Sequence, residues 1–164
     1  VRSRRQRQMC IRDRASPLPK RILDIDVIKS LISKNAIVIC CGGGGIPVVY
    51  KEDHFSGIPA VIDKDRLSVL LAENIQADAL IISTAVDSIC TGFGTPDEIS
   101  HAKLSVAEAK KFMKDGEFPD GSMGPKVESL IEAVVNIHGI QSVLCQPGSA
   151  LKALRGSSGT TISP

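Results

Sequence analysis

Apolar residues recur along this chain in two rhythms, and their alternation predicts the fold. Val27, Ile28, Leu31 and Ile32 fall at helical spacing behind Asp24, which predicts a helix capped by Asp24 and running to about Asn35. Residues 36–41 (AIVICC) are wholly apolar, which predicts a strand buried on both faces. Four consecutive glycines follow, then an extended stretch over 46–50, a polar turn over 53–57 and a second extended stretch over 58–62. Leu67, Leu70, Leu71 and Ile75 share one face of a predicted helix over about 63–76. Residues 77–84 (ADALIIST) predict a second buried strand, 87–93 an extended piece and 94–97 a turn. Ser105 and Glu108 have the spacing of a capping box and open a helix to about Lys114.

Towards the C-terminus, Val127, Leu130, Ile131, Val134 and Val135 predict a helix that starts at Pro125 and stops near Gly139. Residues 140–145 predict a third buried strand, 149–154 a short helix and 160–162 a last strand. Short apolar strands alternating with helices indicate an α/β fold: an open, mainly parallel β-sheet flanked by helices, an αβα sandwich.

Composition narrows the classes. The 164 residues suit one domain, with 43% hydrophobic and 23% charged residues, an ordinary globular balance. With no Trp and one Tyr, base-stacking platforms are lacking, which argues against a nucleic-acid partner. No apolar run reaches the roughly 18 residues of a membrane span.

The net charge of +2 hides an asymmetry. Residues 1–14 (VRSRRQRQMCIRDR) hold six Arg and one Asp, so residues 15–164 carry 14 Lys and Arg against 17 Asp and Glu. The Arg-rich run has no apolar face. Such a run serves as a basic arm or a transit peptide. It also closely resembles the peptide that sequencing-adaptor DNA encodes when misassembled onto a gene. We read 1–14 as a non-native or disordered tail and 15–164 as the domain.

The five cysteines (10, 40, 41, 90 and 145) have no zinc-knuckle spacing. Cys40 and Cys41, adjacent on a predicted strand, should point to opposite faces. Reduced thiols in a cytoplasmic compartment are expected.

Chemistry concentrates in three loops at the ends of predicted strands, where open α/β sheets bind ligands. The first is Gly42, Gly43, Gly44 and Gly45. It leads to Pro47 rather than to a helix, so it is no dinucleotide fingerprint, and the chain has no P-loop motif. Its backbone N–H groups would wrap a small anion; the alternative is a tight surface turn. The second loop is Thr84, Ala85, Val86 and Asp87. The third runs from Gly121 to Lys126 and enters a helix. Lys126 in a first helical turn opposes the macrodipole and makes sense if a phosphate lies there; the alternative is a solvated lysine. Beside these, Asp63, Lys64 and Asp65 cluster at a strand-to-helix junction, where Asp63 has the position of a cap. Two lysines, an Asp to organise them and a glycine loop suit phosphoryl transfer, which depends on positioning and charge neutralisation.

These residues match a family. From about Ser16 onward the chain resembles carbamate kinase, of the amino acid kinase superfamily. The resemblance rests on Ser16-Pro17-x-Pro19, on Gly42-Gly-Gly-Gly-Ile-Pro-Val48 and on Ala60-Val-Ile-Asp-Lys-Asp65. It continues through Gln76-Ala-Asp78 into 81–86, Gly116-x-Phe118-Pro119-x-Gly-Ser-Met-Gly-Pro-Lys-Val-Glu128 and Gly159-Thr160-x-Ile162. It implies phosphoryl transfer between ATP and carbamate, mostly in the direction of ATP formation from carbamoyl phosphate and ADP, within cytoplasmic arginine metabolism. Lys64 and Lys126 would neutralise the moving phosphoryl group and Asp65 would organise the lysines. The glycines at 42–45 would face carbamate, and Thr84, Ala85, Val86, Asp87, Ser122, Met123 and Gly124 the nucleotide. Mg²⁺ would be held mainly by nucleotide phosphates, and the full-length form would be a homodimer.

The family also carries an early strand, a Gly-rich phosphate loop with its own Lys and a projecting subdomain, none of which lies in these residues. The expectation is therefore the C-terminal, nucleotide-binding half of a truncated enzyme, inactive by itself. The alternatives are an acylglutamate or aspartate kinase and a non-catalytic domain that binds nucleotide or a partner.

Overall fold

The computed structural model describes residues 14–119 and 121–164. The tail assigned to residues 1–14 thus lies outside the described residues except for Arg14. After Leu67 the chain divides into two compact units.

The first unit holds little regular structure. Helix α1 (Ile25–Ile32) forms as the periodicity predicts, with Asp24 in the capping position but making no side-chain cap hydrogen bond. Only Ile28 of its apolar residues is buried. Strands β1 (Val48–Lys51) and β2 (His54–Gly57) form an antiparallel hairpin. The polar turn expected over 53–57 is therefore mostly strand. The turn itself is Glu52–Asp53, both with positive φ (51° and 60°), the geometry that matches the twist of a hairpin. Glu is rare at such a position, so the sequence hides it. Residues 58–62 make a single bridge, Ala60 to Ala15, rather than a ladder.

The buried strand expected over 36–41 is absent. Those residues pair with no strand among the described residues, and Ile37 and Ile39 are 97% and 98% exposed. A strand needs a hydrogen-bonded neighbour, whereas an apolar run reads the same with or without one.

Helix α2 (Lys64–Ile75) starts in the first unit and continues in the second. The second unit is the sheet domain. Its main sheet has the order β3 (Ala79–Ser83), β7 (Gln141–Cys145), β8 (Thr160–Ser163), β6 (Lys103–Ser105). The β3–β7 and β6–β8 pairs are parallel, and β7–β8 is antiparallel. A short ribbon pairs β4 (Ile89–Thr91) with β5 (Ile99–His101). Strands β5 and β6, three residues each, have no counterpart among the predicted elements.

Helices α3 (Val106–Lys114) and α4 (Met123–Asn136) pack on each other and on one face of the main sheet. That layer centres on Val127, Leu130, Leu80, Ile82, Leu144 and Ile162. The short helix α5 (Ala150–Leu154) covers the other face through Ala153 against Val143 and Cys145. The side chains alternate between faces as a pleated strand requires. The result is the open, mainly parallel sheet flanked by helices, in three layers. Ser105 and Glu108 form the expected capping box, with both reciprocal hydrogen bonds in place.

Candidate functional site

In the first unit, the glycine loop and the Lys64–Asp65 cluster meet. Gly44 (φ +140°) lies so close to Ile62 that a Cβ would overlap its carbonyl oxygen. A Cβ on Gly45 would sit 3.7 Å from the Leu67 side chain. The loop thus presses on the backbone that enters α2. Asp63 is the cap: its Oδ1 accepts hydrogen bonds from the N–H groups of Asp65 (2.9 Å) and Arg66 (3.1 Å). This fixes where Lys64 and Asp65 point. Asp65 is only 5% exposed, and its carboxylate lies 3.5 Å from the Lys64 ammonium, whose side chain stays largely in solvent. A buried carboxylate thus tethers an exposed ammonium at the start of α2.

The glycine loop is not an open cradle. Gly42 N–H donates to the Cys40 carbonyl (2.8 Å), and the N–H groups of Gly44 and Gly45 donate to the Cys41 carbonyl (3.0 and 2.6 Å). Three of its four donors are turned inward, so capture of an anion requires the loop to open. Cys41 has φ +63° and is the centre of this tight turn. The expectation that Cys40 and Cys41 face opposite ways belongs to a strand and fails with it. The turn sets the two neighbouring thiols close enough for Cys40 to act on Cys41. Burial, then Cys40, then Asp24 push the Cys41 thiol above its ordinary value.

In the second unit, residues 84–87 leave the C-terminal end of β3. Thr84 N–H donates to the Cys145 carbonyl (2.9 Å), and Gln146 Nε2 reaches the Ala85 carbonyl at 3.4 Å. Val86 packs on the main core, and Asp87 lies near enough to Cys145 to help burial raise that thiol. Gln146 was not among the predicted site residues, although its place directly after a buried strand is a usable signal.

Helix α4 returns through a short loop to β7, so its N-terminus lies at the end of the sheet where β3 and β7 finish. Met123 and Val86 pack against the same core. The helix starts at Met123, two residues before the predicted start, with Pro125 third and Lys126 fourth. Ser122 makes no side-chain cap, and the first turn holds no acidic residue. Gly124 packs on the Pro119 carbonyl, to which its own N–H donates at 3.0 Å. Ser122, Met123, Gly124 and Lys126 therefore gather at one helix start, on the same end of the sheet as Thr84, Ala85, Val86 and Asp87.

Residues 4–146 match the amino acid kinase family. The chain belongs to that family. It is 44% identical over 148 residues to a carbamate kinase of Clostridium perfringens, which covers 90% of this chain and 47% of the relative. A Halobacterium salinarum carbamate kinase is 43% identical over 149 residues, covering 91% and 48%. Carbamate kinase from Giardia lamblia bound to AMP-PNP superimposes with a TM-score of 0.87 at 41% identity, covering 90% of this chain and 46% of that one. This amino acid kinase chain thus spans about half the length of the relatives it matches.

Among the described residues no group of three or more His, Cys, Asp or Glu could hold a metal ion. Among the described residues no helix is long and apolar enough to cross a membrane.

Proposed function

We propose that this chain is the nucleotide-binding half of a carbamate kinase, an enzyme that moves a phosphoryl group between ATP and carbamate, chiefly towards ATP. The observation that carries the reading is the seating of Lys64: Asp63 caps the turn in which it lies, buried Asp65 pairs with its ammonium, and Gly44 packs on Ile62, two residues before it. The similarity to carbamate kinases in ordered motifs favours carbamate over an acylglutamate or aspartate acceptor.

On this reading Lys64 and Lys126 neutralise charge on the transferring group, and Asp65 fixes the direction of Lys64. Residues 42–45 serve the carbamate side after their inward hydrogen bonds open. Residues 84–87 and 122–124 serve the nucleotide. The start of α4, without a carboxylate in its first turn or a side-chain cap, leaves its positive end for phosphate. The described residues offer no cage for Mg²⁺, which would arrive on the nucleotide phosphates and keep most of its water. The full-length enzyme is a cytoplasmic homodimer in this reading.

Because the chain spans about half of its relatives, turnover belongs to the protein completed by the other half. Loss of one preorganised donor typically costs about 3–4 kcal/mol of transition-state stabilisation. The 164 residues alone should therefore be inactive. The test measures ATP formation from ADP and carbamoyl phosphate with coupled luciferase, for the chain alone and for the chain joined to the N-terminal half of the Clostridium perfringens relative. Activity only in the joined protein supports the reading. A joined protein that ignores carbamoyl phosphate but uses acetylglutamate or aspartate overturns it.

A further inference from the structure

Cys40 and Cys41 have no part in the phosphoryl-transfer reading, yet the fold brings them together. In an extended strand adjacent side chains diverge. Here the backbone folds at Cys41, with φ +63° and a Gly42 N–H to Cys40 carbonyl hydrogen bond of 2.8 Å. Such a three-residue turn is rare. Both thiols are free and half-buried, hence open to a reagent, and they are neighbours in the chain at this turn.

Three ligand chemistries compete for two adjacent thiols. A disulfide between neighbours must span Cα atoms only about 3.8 Å apart, below the roughly 4.4–6.8 Å that a relaxed bridge uses. A closed zinc site needs about four ligands, and no cluster of even three stands among the described residues. A trivalent arsenical needs two thiols, and its larger central atom relieves the short span.

We propose that Cys40 and Cys41 form a vicinal dithiol site that chelates a trivalent oxo-arsenical. Two As–S bonds form as both S–H bonds and the arsenic–oxygen bond break. The oxygen leaves with the two protons as water. Arsenic remains trivalent, so no oxidant or reductant takes part. The chelate fixes the Cys41 carbonyl, onto which Gly44 and Gly45 are folded, and thereby holds the glycine loop in its inward-turned form.

The probe is phenylarsine oxide, added to the chain in native buffer and followed by intact mass. The expected result is one adduct, lighter by one water than the sum of its parts, mapping to the tryptic peptide 35–51. Excess glutathione should leave it in place, and dimercaptopropanol should strip it. Cys40→Ser and Cys41→Ser should each abolish it, whereas a variant with Cys10, Cys90 and Cys145 all changed to Ser should keep it. Peptide mapping of the unaltered chain decides the matter even if a Ser variant misfolds. No adduct, an adduct on another peptide, or one that glutathione strips as readily as dimercaptopropanol overturns the proposal.

Discussion

Gly44 sits against the carbonyl of Ile62 with no room for a side chain, and this one contact fixes the glycine loop to the residues that lead into Lys64 and Asp65. Its φ of +140° lies in territory that other residues rarely enter. Gly43 differs: a Cβ there would meet nothing within 4 Å.

The pair makes a sharp comparison. Gly44→Ala combines strain of about 1–3 kcal/mol with a backbone overlap that must be relieved by moving the loop. Gly43→Ala should change stability by less than about 1 kcal/mol. Urea denaturation of the two variants checks this. Equal midpoints would show that the Gly44–Ile62 approach is not a constraint on the fold.

Thr160 ties the last strand to the β4–β5 ribbon. It is fully buried, its Oγ1 accepts from Ile89 N–H at 2.8 Å, and it donates to the His101 carbonyl. Thr160→Val keeps the shape but leaves both backbone groups without that partner. Buried orphan groups cost about 1–3 kcal/mol each, so the variant should lose at least that much stability. Thr160→Ser should recover most of it. A Val variant as stable as the parent in denaturant melts would refute the role of the hydroxyl.

Much of this architecture was legible in the sequence because the signals were local. The Ser105–Glu108 spacing specifies a cap whatever lies around it, and Asp63 before α2 does the same. Residues 141–145 read as a buried strand and are one, because both faces find helices. Residues 36–41 carry the same apolar signal but join no strand and leave Ile37 and Ile39 exposed, since burial depends on neighbours that a run of side chains does not encode. The hairpin was missed because its turn uses Glu52 and Asp53 where Asn-Gly or Gly would announce it. Of the candidate site, the place of residues 84–87 at a strand end was legible. The inward hydrogen bonds of 42–45 were not, since any four glycines permit both the open and the closed turn.

Glu108 links the α3 cap to pH. Hydrogen bonds from the backbone and side chain of Ser105 hold its carboxyl below the ordinary value of 4.5. A carboxyl lowered on folding adds stability that is complete above its unfolded value and lost as pH falls through the lower folded value. Thermal melts should therefore show a decline in Tm on acidification below about pH 4.5. Glu108→Gln should weaken that decline while lowering Tm at neutral pH. An identical acid profile in both proteins would show that the capping box carries no linkage.

Lys126 provides the most direct test of phosphoryl transfer. It stands fourth in α4, half-buried, at a helix start that holds no acidic residue in its first turn. A cation there is disfavoured by the helix dipole unless an anion joins it. In the protein completed with the other half of a relative, Lys126→Ala should lower kcat far more than it raises KM for nucleotide. On the proposed reading the charge that Lys126 meets grows mainly as the phosphoryl group leaves, and interactions confined to the transition state appear in kcat. Lys126→Arg should restore only part, because a planar fork replaces a compact point charge. Lys103, exposed on β6, is the control and should be nearly silent when changed to Ala. Steady-state kinetics that cannot tell Lys126→Ala from Lys103→Ala would remove Lys126 from the reaction and return it to an ordinary place on the helix.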